Sequence, residues 1–104
     1  MSVLKDVLKE EMRRLKSLSH LYEKKIKGLP RGSISVKHIR NGDYAYLAFR
    51  NKDGVFFKYL GPVSSDKVSE LKEKIEERRK LKSLMSQASK NLHEVQSMLR
   101  VRKG

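Results

Sequence analysis

The sequence predicts an α+β fold: a helix, a three-stranded antiparallel β-meander, and a second, longer helix that returns along the first as an antiparallel helical hairpin or coiled coil. Three observations point there. Apolar residues recur every three or four positions in residues 2–27 and again in 65–101. Between them, residues 33–60 alternate polar and apolar residues around two glycine-containing turns. At 104 residues the chain is expected to be a single domain.

In the first helix, Leu4, Leu8, Met12 (or Glu11), Leu15, Leu18, Tyr22 and Ile26 form one apolar stripe on a charged rod. Ser2 is a candidate N-cap, and Gly28 is expected to end the helix as a C′ glycine. Leu29-Pro30 then redirects the chain, because a residue before proline avoids helical angles.

Asn41-Gly42 is the strongest hairpin signal, since a type I′ turn needs positive φ at both central residues. Centred there, the turn sets Arg40 opposite Asp43, Ile39 opposite Tyr44, Lys37 opposite Tyr46 and Val36 opposite Leu47. Alternation puts Ile34, Val36, His38, Ala45, Leu47 and Phe49 on one face, and Ser35, Lys37, Ile39, Tyr44, Tyr46, Ala48 and Arg50 on the other. Asn51-Lys52-Asp53-Gly54 suits a three-residue loop with Gly54 left-handed. That loop adds Val55, Phe57 and Tyr59 to the first, apolar face, and Phe56, Lys58 and Leu60 to the second. A two-residue turn at Asp53-Gly54 would exchange the faces of the third strand.

Gly61-Pro62 ends the sheet, Ser64 or Ser65 can cap the second helix, and Asp66 suits its positive end. The stripe is Val68, Leu71, Ile75, Leu81 (or Leu84), Met85, Ala88, Leu92, Val95 and Leu99, with a coiled-coil rhythm from Leu81 onward. The tail from Arg100 to Gly104 is expected to fray. Because the second helix is the longer, its end is expected to overhang the first. Met85, Ala88, Leu92, Val95 and Leu99 are therefore the candidate seam of a homodimer.

Lys and Arg number 25 against 12 acids, a net charge of +13. The excess is spread, with +4 in residues 1–29, +4 in 30–63 and +5 in 64–104. Such a chain attracts polyanions, of which nucleic acid is the commonest large one, although lysines also serve simply to solvate long helices. Cysteine is absent, so disulfides and thiolate metal sites are excluded. With no long apolar run and no h-region, the expectation is a cytoplasmic protein without membrane association.

No motif for catalysis is found. His20, His38 and His93 lack metal-ligand spacing, no G-x-S-x-G elbow or phosphate loop occurs, and the carboxylates interleave with lysines. The chain is therefore read as a non-enzyme with no cofactor, metal or catalytic residue.

Leu29-Pro30-Arg31-Gly32-Ser33, the run from Tyr44 to Arg50, a glycine turn and Lys58-Tyr59-Leu60-Gly61 carry a resemblance. The stretch 29–82 resembles a family of small bacterial and archaeal helix–sheet–helix proteins of uncharacterised function. Many members place a cysteine cluster between the first two strands. Asn41-Gly42 stands there in this chain, so the resemblance implies the fold and no metal role. In shape alone the meander is similar to the three-stranded DNA-binding sheets of integrase arm-binding domains and of a class of plant transcription factors.

Two functions follow. In the first, Arg31, Lys37, Arg40, Arg50, Lys52 and Lys58 meet phosphates or base edges of nucleic acid, DNA in preference to RNA, while Tyr44, Tyr46 and Phe56 stack or touch sugars. A mobile element or transcriptional system is the setting that fits. In the second, the helices make a coiled-coil adaptor or inhibitor with a protein partner. The first requires the Tyr44–Tyr46 face to be open. A second helix packed there would make the same residues core.

Overall fold

A computed structural model describes residues 2–101. It contains α1 (Val3–Lys27), β1 (Ser33–Ile39), β2 (Gly42–Asn51), β3 (Gly54–Pro62) and α2 (Asp66–Val101), and the strands form one antiparallel sheet in the order β1-β2-β3. The expected α+β class and element order are those observed. Of the tail expected to fray, residues 102–104 lie outside the described part. The chain divides into two compact units, Met1–Gly28 with Lys80–Gly104, and Leu29–Arg79. No helix among the described residues is long and apolar enough to cross a membrane.

The first unit is the antiparallel helical hairpin. Leu15, Ala88 and Val95 form its buried centre, with Leu8, Met12, Tyr22, Leu92 and Leu99 packed around them. Met12 lies near Gln96 and Leu99, while Ser19 and Glu23 lie near Lys82, Met85 and Ser86, so the helices run in opposite directions. Leu81 is half-buried and Leu84 exposed, which resolves that choice in the stripe. On α1, Leu4 is exposed, so the covered stripe begins at Leu8.

This packing corrects the expected overhang. Ala88 is 4% exposed and Val95 8%, both buried within the chain's own hairpin. The surplus length of α2 lies at its start, in the unit that holds the sheet, and not at its end. Apolar area that α1 already covers supplies no drive for a second copy, so Ala88 and Val95 drop out of the expected dimer seam, while Met85, Leu92 and Leu99 are half-buried.

The caps follow from local chemistry. The Ser2 hydroxyl accepts from the Lys5 amide at 3.4 Å, and Ser65, rather than Ser64, accepts from the Val68 amide at 3.3 Å. Gly28 ends α1 with φ −84°, in the right-handed region, and not as the left-handed C′ residue expected. On the solvated face of α1, Arg14 donates to both carboxylate oxygens of Glu11 at 2.6 and 3.0 Å, and this pairing holds the Glu11 carboxyl below its ordinary value.

In the second unit the buried side chains are Ala45 of β2 and Val68 and Ile75 of α2. The hairpin register differs from expectation by two residues. Ile39 pairs with Gly42, His38 with Asp43, Lys37 with Tyr44, Val36 with Ala45 and Ile34 with Leu47. Arg40 and Asn41 are the central turn residues, and the positive φ, 51°, falls on Arg40. Two local contacts favour this register. The Tyr44 ring leans back over Gly42, where a Cβ would lie 3.1 Å from it, so the glycine makes room for a ring instead of a turn. His38 and Asp43, now directly opposite, bond through Nδ1 and Oδ1. A two-residue shift keeps each side chain on its face, so both faces of β1 and β2 are as expected.

The second turn also differs, with larger consequences. Asn51 pairs with Gly54, leaving Lys52-Asp53 as a two-residue turn, and the Asp53 amide donates to Asn51 Oδ1 at 2.8 Å. Tyr46 therefore pairs with Tyr59, Ala48 with Phe57 and Arg50 with Val55. The faces of β3 are exchanged relative to the three-residue loop. A β-bulge between Ala45 and Tyr46 then lets Gly61 face Ala45.

Leu15→Ala should destabilise the hairpin by about 2–5 kcal/mol in a denaturant titration, and a loss below about 1 kcal/mol would contradict its place at the centre. Gly32 has φ 113°, and a Cβ there would meet the Ala48 carbonyl oxygen at 2.6 Å. Gly54 has φ 130° with nothing within 4 Å of the corresponding position. Gly32→Ala adds a backbone clash to the strain of positive φ, so its loss of stability should exceed that of Gly54→Ala by about 1 kcal/mol or more. Equal losses would mean that the Leu29–Ser33 segment does not lie against β2 as described.

Candidate nucleic-acid interface

The alternation of side chains and the second turn together build one face of the sheet. Across it run Ser33, Ser35, Lys37 and Ile39 from β1, Tyr44, Tyr46, Ala48 and Arg50 from β2, and Val55, Phe57 and Tyr59 from β3. None of these side chains is buried. Phe57 is 56% exposed and Tyr59 54%, with Val55 and Ile39 close behind, while Tyr44 and Tyr46 are half-buried by their neighbours on the sheet. Within Leu29–Arg79 no helix buries this face. On the opposite side Ala45 is fully buried, while Val36 and Phe56 remain exposed.

The rings form a connected group. Tyr59 lies 5.3 Å from Tyr46 and 6.4 Å from Tyr44, centroid to centroid, with tilted planes. The Lys37 ammonium sits 4.8 Å from the centroid of Tyr46 and 5.4 Å from that of Phe57. Lys37 stands opposite Tyr44 in the register, and it reaches Tyr46 diagonally across small Ser35. A cation over aromatic faces is attracted by their quadrupoles, by about 0.5–1 kcal/mol at exposed sites. The contact holds the ammonium above the sheet without neutralising it.

Of the nine expected nucleic-acid residues, Lys37, Tyr44, Tyr46 and Arg50 share this face. Arg40 lies at the β1–β2 turn, at one end of the sheet. Lys52, in the β2–β3 turn, and Arg31, just before β1, lie at the other end, since the strands are antiparallel. Phe56 and Lys58 do not belong to the face. They alternate onto the opposite side, where the Phe56 ring stacks on Phe49 at 5.8 Å with an interplanar angle of 25°. The reason is the turn shorter by one residue, which moves each side chain of β3 across the sheet. Sequence reasoning thus missed Val55, Phe57 and Tyr59. The signal for them was Asn51, whose short side chain closes a turn on the amide two residues on.

His20, His38 and His93 are all exposed, and no group of three or more His, Asp or Glu side chains able to hold a metal ion occurs among the described residues. What the face offers chemically is π surface, phenolic hydroxyls and two flanking cations. Comparison with family models, curated proteins and solved structures finds no match to this chain.

Proposed function

We propose that this chain is a nucleic-acid-binding protein that uses the open aromatic face of its sheet, with DNA the first target to test. The observation that carries the reading is that face itself: Phe57 and Tyr59 exposed, with Tyr44 and Tyr46 half-buried next to them, beside Lys37 and Arg50 on a chain of net charge +13. A face of large uncovered rings costs hydration free energy unless something is laid on it. An adjoining positive charge selects a partner that carries negative charge together with flat apolar groups. Nucleic acid has both. Arg40 at one end of the sheet, and Arg31 with Lys52 at the other, extend the positive region beyond the rings.

A protein-interaction adaptor without nucleic-acid binding is the second reading. Its support is the exposed apolar group at the start of α1, where Val3 is 79% exposed, Leu4 51% and Val7 56%.

A salt series separates the two. Binding to generic duplex and single-stranded oligonucleotides should weaken with a slope of log K against log salt of about −2 to −4, reflecting a few phosphates neutralised. No detectable binding to either at low salt would sink the first reading. Within it, Lys37→Ala should make the slope shallower by about one unit. Tyr46→Ala should weaken binding by about 1–3 kcal/mol. If Tyr46→Ala protein, shown folded by circular dichroism, binds as well as the unmodified chain, this face is not the binding surface.

A further inference from the structure

We infer that the ligand of this face is an unpaired nucleic-acid strand, with bases stacked one each on Phe57 and Tyr59. The inference rests on the nucleic-acid reading above and narrows its ligand class. Duplex and single strand present different chemistry. In a duplex the bases cover one another's faces and offer only their edges, which are read by Arg, Lys, Asn, Gln and acidic side chains. This face carries Lys37 and Arg50, with no Asn, Gln, Asp or Glu among its side chains. The Lys37 ammonium already sits over rings. Edge readout has little to work with, whereas π surface is plentiful.

Spacing supports the same conclusion. Phe57 and Tyr59 are two residues apart on one strand, so their attachment points are separated by about 6.6 Å. That is roughly twice the 3.4 Å step between stacked bases of one duplex strand. A base on each ring therefore requires a strand drawn out of its own stacking, which single strands permit and an intact duplex does not. Phe57 and Tyr59 are also the two most exposed rings of the face. Lys37, whose ammonium lies over the Phe57 ring, gives way to a stacking base and meets the phosphate next to it. A second copy of this chain fits the face poorly, because it would bring another net charge of +13 and a second Lys37 and Arg50 against the first.

The test compares labelled dT12 and U12 with a mixed-sequence duplex of equal length at one salt concentration, read by fluorescence anisotropy. The two single strands distinguish DNA from RNA as the source. At least one of them should bind about tenfold or more tightly than the duplex. Phe57→Leu, which keeps an apolar side chain and the fold, should weaken that single-strand binding by about 5- to 100-fold, as should Tyr59→Leu. Both should leave the duplex affinity within about twofold. Phe56→Leu, on the opposite face, serves as the control and should change neither. Equal or tighter duplex binding, or single-strand binding indifferent to Phe57→Leu and Tyr59→Leu, overturns this inference while leaving nucleic-acid binding in place. Absence of binding to all three probes at low salt removes the reading on which it rests.

Discussion

Everything distinctive about this sheet depends on the number of residues in one turn. The Asp53 amide donates to Asn51 Oδ1, and the turn closes with Asn51 opposite Gly54 and only Lys52-Asp53 between them. Side chains alternate with a period of two, so a turn longer by one residue would invert β3. Phe57 and Tyr59 would then lie on the Ala45 side, and Phe56 and Lys58 on the open side. The observed turn instead gathers Phe57 and Tyr59 with Tyr44 and Tyr46 and sends Lys58 away. A local side-chain hydrogen bond thus sets the composition of a whole surface. It exchanges a mixed basic and aromatic face for one dominated by rings.

The bulge on the same strand pair serves the other side of the sheet. If the pairing of Tyr46 with Tyr59 continued without interruption, Leu60 would stand opposite Ala45. The extra residue places Gly61 there, and both Gly61 and Ala45 are buried. Gly61 adopts φ 123° there, and a Cβ on it would lie 3.9 Å from the Ser65 hydroxyl that caps α2. Ala45 and Gly61 are thus small, buried neighbours on a face that also carries the stacked rings of Phe49 and Phe56.

What was legible in the sequence follows from how redundantly each feature is encoded. Each helix stripe repeats six or more times, so one ambiguous position, Leu81 against Leu84, leaves the assignment unchanged. The faces of β1 and β2 were legible because registers differing by two residues bury the same side chains. The register itself was not, because it turns on contacts that the pattern does not contain: the Tyr44 ring over Gly42, and His38 opposite Asp43. In β3 the reading depended on a single turn, and one residue sufficed to misplace Phe56 and Lys58. The end of α2 was misread for a related reason. Helix lengths of 25 and 36 residues show that a surplus exists but not at which end it falls. Leu15 packed with Ala88 and Val95 places it at the start.

The distribution of charge bears on what an open aromatic face can contribute. The net positive charge is shared almost evenly along the chain, while the face itself carries only Lys37 and Arg50. Charges farther than about a Debye length, roughly 8 Å at physiological salt, do little for a ligand once it is bound, although they raise the rate at which a polyanion arrives. Two cations at the face support few neutralised phosphates. On the proposed function, specific retention must then come mainly from stacking, which each uncovered ring can supply at about 1–3 kcal/mol per base and which salt hardly weakens. Attraction and retention would thus reside in different residues. Substitution of helix lysines should alter encounter and salt dependence, and substitution of the rings should alter residence at constant salt. A basic protein that merely coats polyanions would need neither that separation nor the exposed rings of Phe57 and Tyr59.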